Sequence, residues 1–216
     1  MKKLRNKKRP MFIAVEGGEG SGKSSLMAAL AKEMPGVALI TREPGGSPYA
    51  EIIRNAALKN PLAKTAPAET TLCLMFAARF DNVVNVIEPS LKSGMSVVAD
   101  RFDGSSFAYQ VAAQTNGDLE EIFWLLRDKL VHVPDLYVFV DVDPLVGLRR
   151  ARSRNESNRN TTKYDHFDNR KIIFHEKVRK GYLKFLKKVP HVTIDANRPF
   201  EEVKSDFLEE MRKLLK

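Results

Sequence analysis

The sequence predicts an α/β protein whose parallel sheet of five strands is covered by helices on both faces. Five short runs of apolar and β-branched residues recur along the chain, separated by segments with the apolar spacing of helices. Each run is continuously hydrophobic, which is typical of parallel strands buried on both faces. The 216 residues, 43% of them hydrophobic, suffice for one sizeable core. The predicted strands are Phe12–Val15, Val37–Ile40, Ser96–Ala99, Leu136–Val140 and Val192–Ile194.

The segments between the strands carry helix signals. Pro144 directly follows Asp143, which fits the first position of a helix behind a capping aspartate. Asn60-Pro61 separates the two helices expected after the second strand. The predicted helices are Ser24–Glu33, Glu51–Leu58, Ala68–Leu91, Ser105–Gln114, Leu119–Leu130, Leu145–Arg152, Asn169–Lys187 and Phe200–Leu215.

Domain organisation is predicted to be simple, because no linker rich in Pro, Gly or Ser divides the chain. We expect one domain over residues 11–216, with a polar, basic lid at about 153–167. Residues 1–10 are expected to form a disordered basic extension. Six of the nine net positive charges lie in this extension, which has no aromatic residue to stack on bases, so nucleic acid is not the expected partner.

The composition also bears on the compartment. No apolar run reaches the roughly 18 residues of a membrane span, and no signal-peptide pattern follows the basic start. The lone cysteine, Cys73, lies among leucines and is expected to be a small core residue. We therefore expect a cytoplasmic protein without a membrane partner.

A glycine-rich motif carries the clearest chemistry. Residues 17–24 fit the pattern G-x-x-x-x-G-K-[ST], between an apolar strand and a helix, which predicts a P-loop NTPase fold. Its backbone N–H groups would surround a polyphosphate, Lys23 would reach the β and γ phosphates, and the Ser24 hydroxyl would bind Mg²⁺. The motif predicts ATP binding and leaves the acceptor open. The predicted ATP-binding residues here are Gly17, Gly18, Glu19, Gly20, Ser21, Gly22, Lys23, Ser24 and Ser25.

A second feature is the pair Asp100-Arg101 at the end of the third predicted strand. Open α/β sheets bind ligands at the carboxyl ends of their strands. Asp100 could hold the metal or its water, and Arg101 could bind an acceptor phosphate, although such pairs are often only salt bridges.

Together these motifs resemble those of bacterial thymidylate kinases, which phosphorylate dTMP to dTDP with ATP and magnesium. The resemblance runs from about Phe12 to the C-terminus and implies the nucleoside-monophosphate kinase type of P-loop fold. The residues that carry it are Glu16 with the P-loop, Thr41-Arg42-Glu43-Pro44-Gly45-Gly46, Asp100-Arg101-Phe102, Ser105, Ala108, Tyr109, Gln110 and the arginine-rich segment near residue 154.

For the acceptor, the resemblance implies that Arg101 clamps the dTMP phosphate and Arg79 hydrogen-bonds the thymine edge. Glu43 would lie near the metal and the transferring phosphoryl group, and Tyr109 would pack near the sugar and disfavour a ribonucleotide. The implied dTMP-binding residues are Arg42, Pro44, Arg54, Met75, Phe76, Arg79, Arg101, Ser105, Ser106, Tyr109 and Gln110.

For the donor, the resemblance implies that Arg150 and Arg154, one helical turn apart, flank the adenine and phosphates, with Asn197 in the loop bordering the adenine. The P-loop holds Glu19 where some family members have a basic residue, so the lid would supply the positive charge. The implied catalytic residues are Lys23, Arg101, Asp100, Glu43, Arg154 and Arg159, and the implied metal ligands are Ser24, Asp100 and Glu43.

Other features keep alternatives open. Met75 stands where the family usually has an aromatic residue beside the base, so a kinase of another deoxynucleotide or of a deoxynucleoside is the first alternative. A P-loop ATPase that binds nucleic acid through its basic extension is the second, and a non-catalytic relative is the third. Family members are commonly homodimers packed through long helices, to which the stretch 72–80 could contribute.

Overall fold

A computed structural model describes residues 9–157 and 172–215, with side chains placed except at 154–157. Five parallel strands form one sheet in the order β2-β3-β1-β4-β5, with the glycine-rich loop leaving the central strand. The sheet and its parallel direction confirm the predicted architecture. The strands are β1 (Phe12–Gly17), β2 (Ala38–Arg42), β3 (Ser96–Asp100), β4 (Leu136–Asp141) and β5 (His191–Asp195).

Helices connect the strands where the sequence places them. Ser47 caps α2 by accepting a hydrogen bond from Ala50 N, so this helix begins three residues before its predicted start. Asp143 Oδ1 accepts from Leu145 N at 2.8 Å, which confirms the cap before Pro144. The helices are α1 (Lys23–Glu33), α2 (Pro48–Arg54), α3 (Ala68–Asn82), α4 (Glu88–Lys92), α5 (Asp103–Ser106), α6 (Glu120–Arg127), α7 (Pro144–Ser157), α8 (Ile172–Leu186) and α9 (Phe200–Leu215).

Three helices continue or join through wider π-helical turns. These turns lie at Asn55–Lys59 after α2, at Val83–Ile87 between α3 and α4, and at Phe107–Gln114 after α5, and a short 3₁₀ helix spans Pro61–Thr65. The resulting helical run over 68–92 matches the single long helix predicted for this region.

Alternate residues of the three central strands, β1, β3 and β4, pack into two separate cores. Phe12 and Ala14 of β1 face one cluster, which includes Phe76, Phe107 and Phe185 from the helices on that side. Ile13 and Val15 face the other, against residues of α1 and α9. Both faces of the sheet are therefore shielded from water at these strands, which explains their continuous apolar sequences.

The helical run Ala68–Lys92 is long and apolar enough to span a membrane by composition, with a mean hydropathy of 1.2. Half of its most apolar stretch is buried inside the protein, and Leu72 and Phe76 belong to the core. This burial is typical of a core helix. Cys73, on the outer face of the same helix, is exposed, so its expected place in the core was wrong.

Candidate active site

The carboxyl ends of β1, β2 and β3 open onto one cavity of about 420 Å³. Glu19, Lys23 and Ser24 of the glycine-rich loop line one part of it. Ten of the eleven implied dTMP-binding residues line the rest, together with Glu43, Asp100 and two residues outside the predicted set, Leu58 and Phe102. The ten are Arg42, Pro44, Arg54, Met75, Arg79, Arg101, Ser105, Ser106, Tyr109 and Gln110.

The glycine-rich loop is shaped by glycines in the left-handed region, Gly20 at φ 69° and Gly22 at φ 84°. A Cβ on Gly20 would lie 1.9 Å from the carbonyl oxygen of Gly147 in α7. A Cβ on Gly147 would in turn lie 2.2 Å from the carbonyl oxygen of Glu19. The loop and α7 thus touch backbone to backbone, which only glycine permits on either side.

Lys23 begins α1 and is almost fully buried, with its ammonium group donating to Asp100 at the end of β3. Burial lowers the pKa of Lys23, and the charge of Arg101 lowers it further. Burial opposes ionisation of Asp100 as well, but the charges of Lys23 and Arg101 hold its pKa below the ordinary value. The pair therefore places a cation and an anion side by side at the mouth of the loop.

Arg101 follows Asp100 with its backbone in the left-handed region, at φ 70°. Its backbone N–H donates to Val15 O at 2.9 Å. The side chain is half-buried, and its guanidinium carbon lies 5.7 Å from the centre of the Tyr109 ring. The side chain therefore faces the cavity where the two sets of lining residues meet.

Arg79 is 2% exposed and lies between two aromatic rings. Its guanidinium carbon is 4.7 Å from the centre of the Phe76 ring and 4.9 Å from that of Phe102. Nε donates to Glu43 at 2.6 Å and Nη2 to Ser106 at 3.0 Å, whereas Nη1 is buried with no hydrogen-bond partner in the described part of the chain.

Glu43 lies where β2 leaves the sheet, and its two carboxylate oxygens accept from Arg79 and Asn82. Burial raises the pKa of Glu43 to about 7, although Arg79 and Asn82 oppose the rise. Both oxygens are already bonded to protein groups, and these contacts orient Arg79. The expected position of Glu43 beside a metal stays a prediction.

The segment after Glu43 turns sharply through a cis Glu43-Pro44 peptide bond and two glycines at positive φ, Gly45 and Gly46. Arg42 makes a two-point ion pair with Glu51, at 3.1 and 2.8 Å. Arg54 donates to Pro44 O at 2.6 Å. These bonds fix two arginines at the rim of the cavity.

Phe76 does not line the cavity, contrary to its implied role as a substrate residue. It is 1% exposed and packs edge-on against Phe123, because the neighbouring Met75 takes the cavity-facing position of α3. Phe102 replaces it at the cavity wall. The sequence shows Phe102 directly after Asp100-Arg101, but no local pattern indicates that its ring packs on Arg79.

Arg150 and Asn197, which were predicted to contact ATP, do not line the cavity. Arg150 donates to Ala196 O at 2.7 Å and to Arg198 O at 3.2 Å, so it binds α7 to the loop after β5. Asn197 in that loop accepts from Asp143 N at 2.8 Å. The side chain of Arg154 and all of Arg159 lie outside the described residues, as does most of the predicted lid.

The comparisons with known proteins reported below all match this chain to thymidylate kinases. A family profile described as thymidylate kinase matches residues 15–207. The thymidylate kinase of Afipia carboxidovorans is 40% identical over 215 residues, covering 94% of this chain and 90% of the relative. That of Alteromonas mediterranea is 38% identical over 206 residues, covering 93% and 88%. The crystal structure of the Ehrlichia chaffeensis thymidylate kinase matches with a TM-score of 0.68 and 26% identity, covering 95% of this chain and 99% of that one.

Proposed function

Because the chain belongs to the thymidylate kinase family and transfers the γ-phosphoryl group of ATP to dTMP, we propose that the cavity described above holds dTMP together with the terminal phosphates of ATP. The observation that carries this proposal is its lining, with the glycine-rich loop at one end and Arg79 at the other. Arg101 lies between them, at the position where the two phosphates would meet.

The acceptor end is built to read a base with a carbonyl group. Arg79 is held by Glu43 and Ser106 and keeps one buried N–H group, Nη1, without a protein acceptor among the described residues. A buried donor without a partner costs about 1–3 kcal/mol, so an acceptor supplied by the ligand is favoured. We assign this acceptor to a carbonyl oxygen of thymine, with Met75 and Phe102 as apolar walls.

Phosphoryl transfer then rests on positioning and on charge. Lys23 would bind the transferring phosphate, and Arg101 would clamp the phosphate of dTMP. The attacking phosphate oxygen is already anionic at neutral pH, so a strong general base is unnecessary. Arg154 and Arg159 stay predicted sources of further positive charge.

Magnesium fits the donor end by the chemistry of its ligands. Ser24 and Asp100 line the cavity and offer a hydroxyl and a carboxylate oxygen, the hard ligands that Mg²⁺ prefers. Among the described residues no cluster of three metal-binding side chains exists, which suits an ion that is held largely by phosphates and water. When bound, the ion would neutralise phosphate charge, while Lys23 and Asp100 orient the reacting groups.

We propose that the enzyme is cytoplasmic and forms a homodimer through the outer face of α3. Cys73 and Ala77 are exposed one helical turn apart, and Val84 continues this face at 48% exposure. Ile52 on α2 lies 63% exposed. We expect Ala77→Arg to convert a dimer into monomers in light scattering, whereas Ile122→Arg, on the exposed face of α6, leaves the mass unchanged. A wild-type monomer would contradict the dimer.

The identity of the acceptor is tested by measuring the rate of ADP release from ATP with dTMP, dUMP, dGMP or thymidine as the acceptor. We expect a clear preference for dTMP, and Lys23→Ala should lower turnover by about 10³-fold because it removes charge stabilisation at the phosphate. The same variant should still bind dTMP in calorimetry, since Lys23 lies at the donor end. Equal rates with all four acceptors would contradict the assignment of Arg79 to the base.

A further inference from the structure

Arg101 is held by a hydrogen-bond network that reaches it from three different elements. The two N–H groups of its Nη1 face three acceptors, the Gly17 carbonyl at 2.9 Å, Ser105 Oγ at 3.1 Å and the Tyr182 hydroxyl at 3.0 Å, so one N–H is shared. In the part of the chain that the structure describes, all hydrogen bonds of this guanidinium use Nη1. Nε and Nη2 are thereby left for a ligand in the cavity that Arg101 lines.

Tyr182 extends this network to a carboxylate. Its hydroxyl lies 2.8 Å from Ser105 Oγ, and Ser105 Oγ lies 2.6 Å from Glu16 Oε2. Glu16 Oε1 accepts from the backbone N–H groups of Phe102 and Ser105. Ser105 donates to Glu16 Oε2 and therefore accepts from Tyr182, while Tyr182 accepts from Arg101.

The Tyr182 side chain has little freedom to move. Its neighbour Gly181 brings α8 so close to the π-helical turn 107–114 that a Cβ there would lie 2.6 Å from the Cβ of Ala112. The ring is fully buried, with its centre 5.2 Å from that of Phe139 and 6.4 Å from that of Tyr109. A rigid hydroxyl can hold a guanidinium in one orientation.

We propose that Tyr182 is a positioning residue that sets the Arg101 guanidinium for the acceptor phosphate. This proposal rests on the clamp role assigned to Arg101 under Proposed function. Tyr182 has no place among the sequence-predicted site residues, and its hydroxyl joins the site through Arg101 and Ser105. Its hydroxyl also lies 3.4 Å from the Gly17 carbonyl oxygen, a longer contact that receives no proton while the hydroxyl donates to Ser105.

The test is Tyr182→Phe, which keeps the ring and removes the hydroxyl. Tyr137→Phe is the matched control, because Tyr137 is equally buried and its hydroxyl donates to Asp103 at 2.6 Å, away from the cavity. We expect kcat/KM for dTMP to fall about tenfold in Tyr182→Phe alone, with KM for ATP unchanged. Equal effects of the two variants on dTMP kinetics would overturn the proposal.

A double-mutant cycle separates this role from the clamp itself. If Tyr182 acts through Arg101, Tyr182→Phe should cause no further loss of dTMP affinity in an Arg101→Lys background, as measured by calorimetry. An undiminished further loss would show that Tyr182 acts by another route. If Arg101→Lys alone leaves dTMP binding unchanged, the clamp is wrong and the positioning role fails with it.

Discussion

The two ends of the cavity differ in whether backbone or side-chain groups form them. The donor end is mostly backbone, a glycine-rich turn pressed against the backbone of α7 at Gly147. The acceptor end is built from charged and polar side chains that bind one another, the buried pair of Glu43 with Arg79 and the carboxylate of Glu16 with the hydroxyl of Ser105. A backbone cradle binds any polyphosphate, whereas fixed side chains can discriminate one acceptor from another. The comparison predicts a donor end of general use and an acceptor end that discriminates between substrates.

The largest effect on stability is expected when the Arg79 side chain is replaced at the acceptor end. Arg79→Met removes the partner of a buried carboxylate, so we expect the free energy of unfolding to fall by about 3–5 kcal/mol. The double variant Arg79→Met/Glu43→Gln removes the stranded charge and should recover most of this stability. Denaturant unfolding measures the stabilities, and calorimetry should show that dTMP binding is not recovered.

The control for this prediction is Arg127→Met. Arg127 donates to the buried Asp103 at 2.6 Å and does not line the cavity. It should lower stability while dTMP affinity is kept. Recovery of dTMP binding in the Arg79→Met/Glu43→Gln double variant would contradict the role of Arg79 as the base reader.

A smaller effect of the same buried pair should appear as a pH dependence of stability. Because burial raises the pKa of Glu43 from 4.5 to about 7, the folded protein binds more protons than the unfolded chain between these values. Stability from this group is therefore lost as the pH rises from about 4.5 to 7. Relative to Glu43→Gln, the wild type should lose on the order of 3 kcal/mol across this window.

Urea unfolding of both proteins at pH 5 and pH 8 measures this difference. Glu51→Gln is the control, since its bond with Arg42 lowers the pKa of Glu51 and its effect on stability should stay flat over this range. A stability difference between Glu43→Gln and the wild type that is also independent of pH would show that Glu43 is ionised throughout.

The difference between the two ends of the cavity also determines how much of the fold and the site could be predicted from the sequence. The donor loop and the strands depend on local patterns, so the residues around Lys23 and all five strands were predicted within a few positions. Glu43 and Arg79 are 36 residues apart, and no local pattern shows that each neutralises the other. Phe76 and Met75 are adjacent, and only the rotation of α3 against the sheet decides which of them reaches the cavity.

Tyr182 illustrates the same limit more sharply. It lies 81 residues from Arg101 and has the apolar surroundings of an ordinary core residue of α8. Its hydroxyl gains a role only because the close packing at Gly181 brings α8 against the segment after β3. Contacts between distant elements therefore carry the part of the site that sequence patterns did not reveal.

The smallest effect is expected at the donor end, where Gly147→Ala adds one methyl group to α7. In a helix, Gly→Ala normally favours folding by about 1 kcal/mol, so propensity alone predicts a harmless change at Gly147. Here the new Cβ would lie 2.2 Å from the Glu19 carbonyl, and either α7 or the glycine-rich loop has to move. We expect Gly147→Ala to raise KM for ATP about tenfold, by the cost of overpacking, while KM for dTMP stays unchanged. Leu145→Ala, at a half-exposed position in the first turn of α7, should leave both KM values unchanged. If Gly147→Ala raises KM for dTMP instead, the two ends of the cavity are mechanically coupled and the contrast between them is too simple.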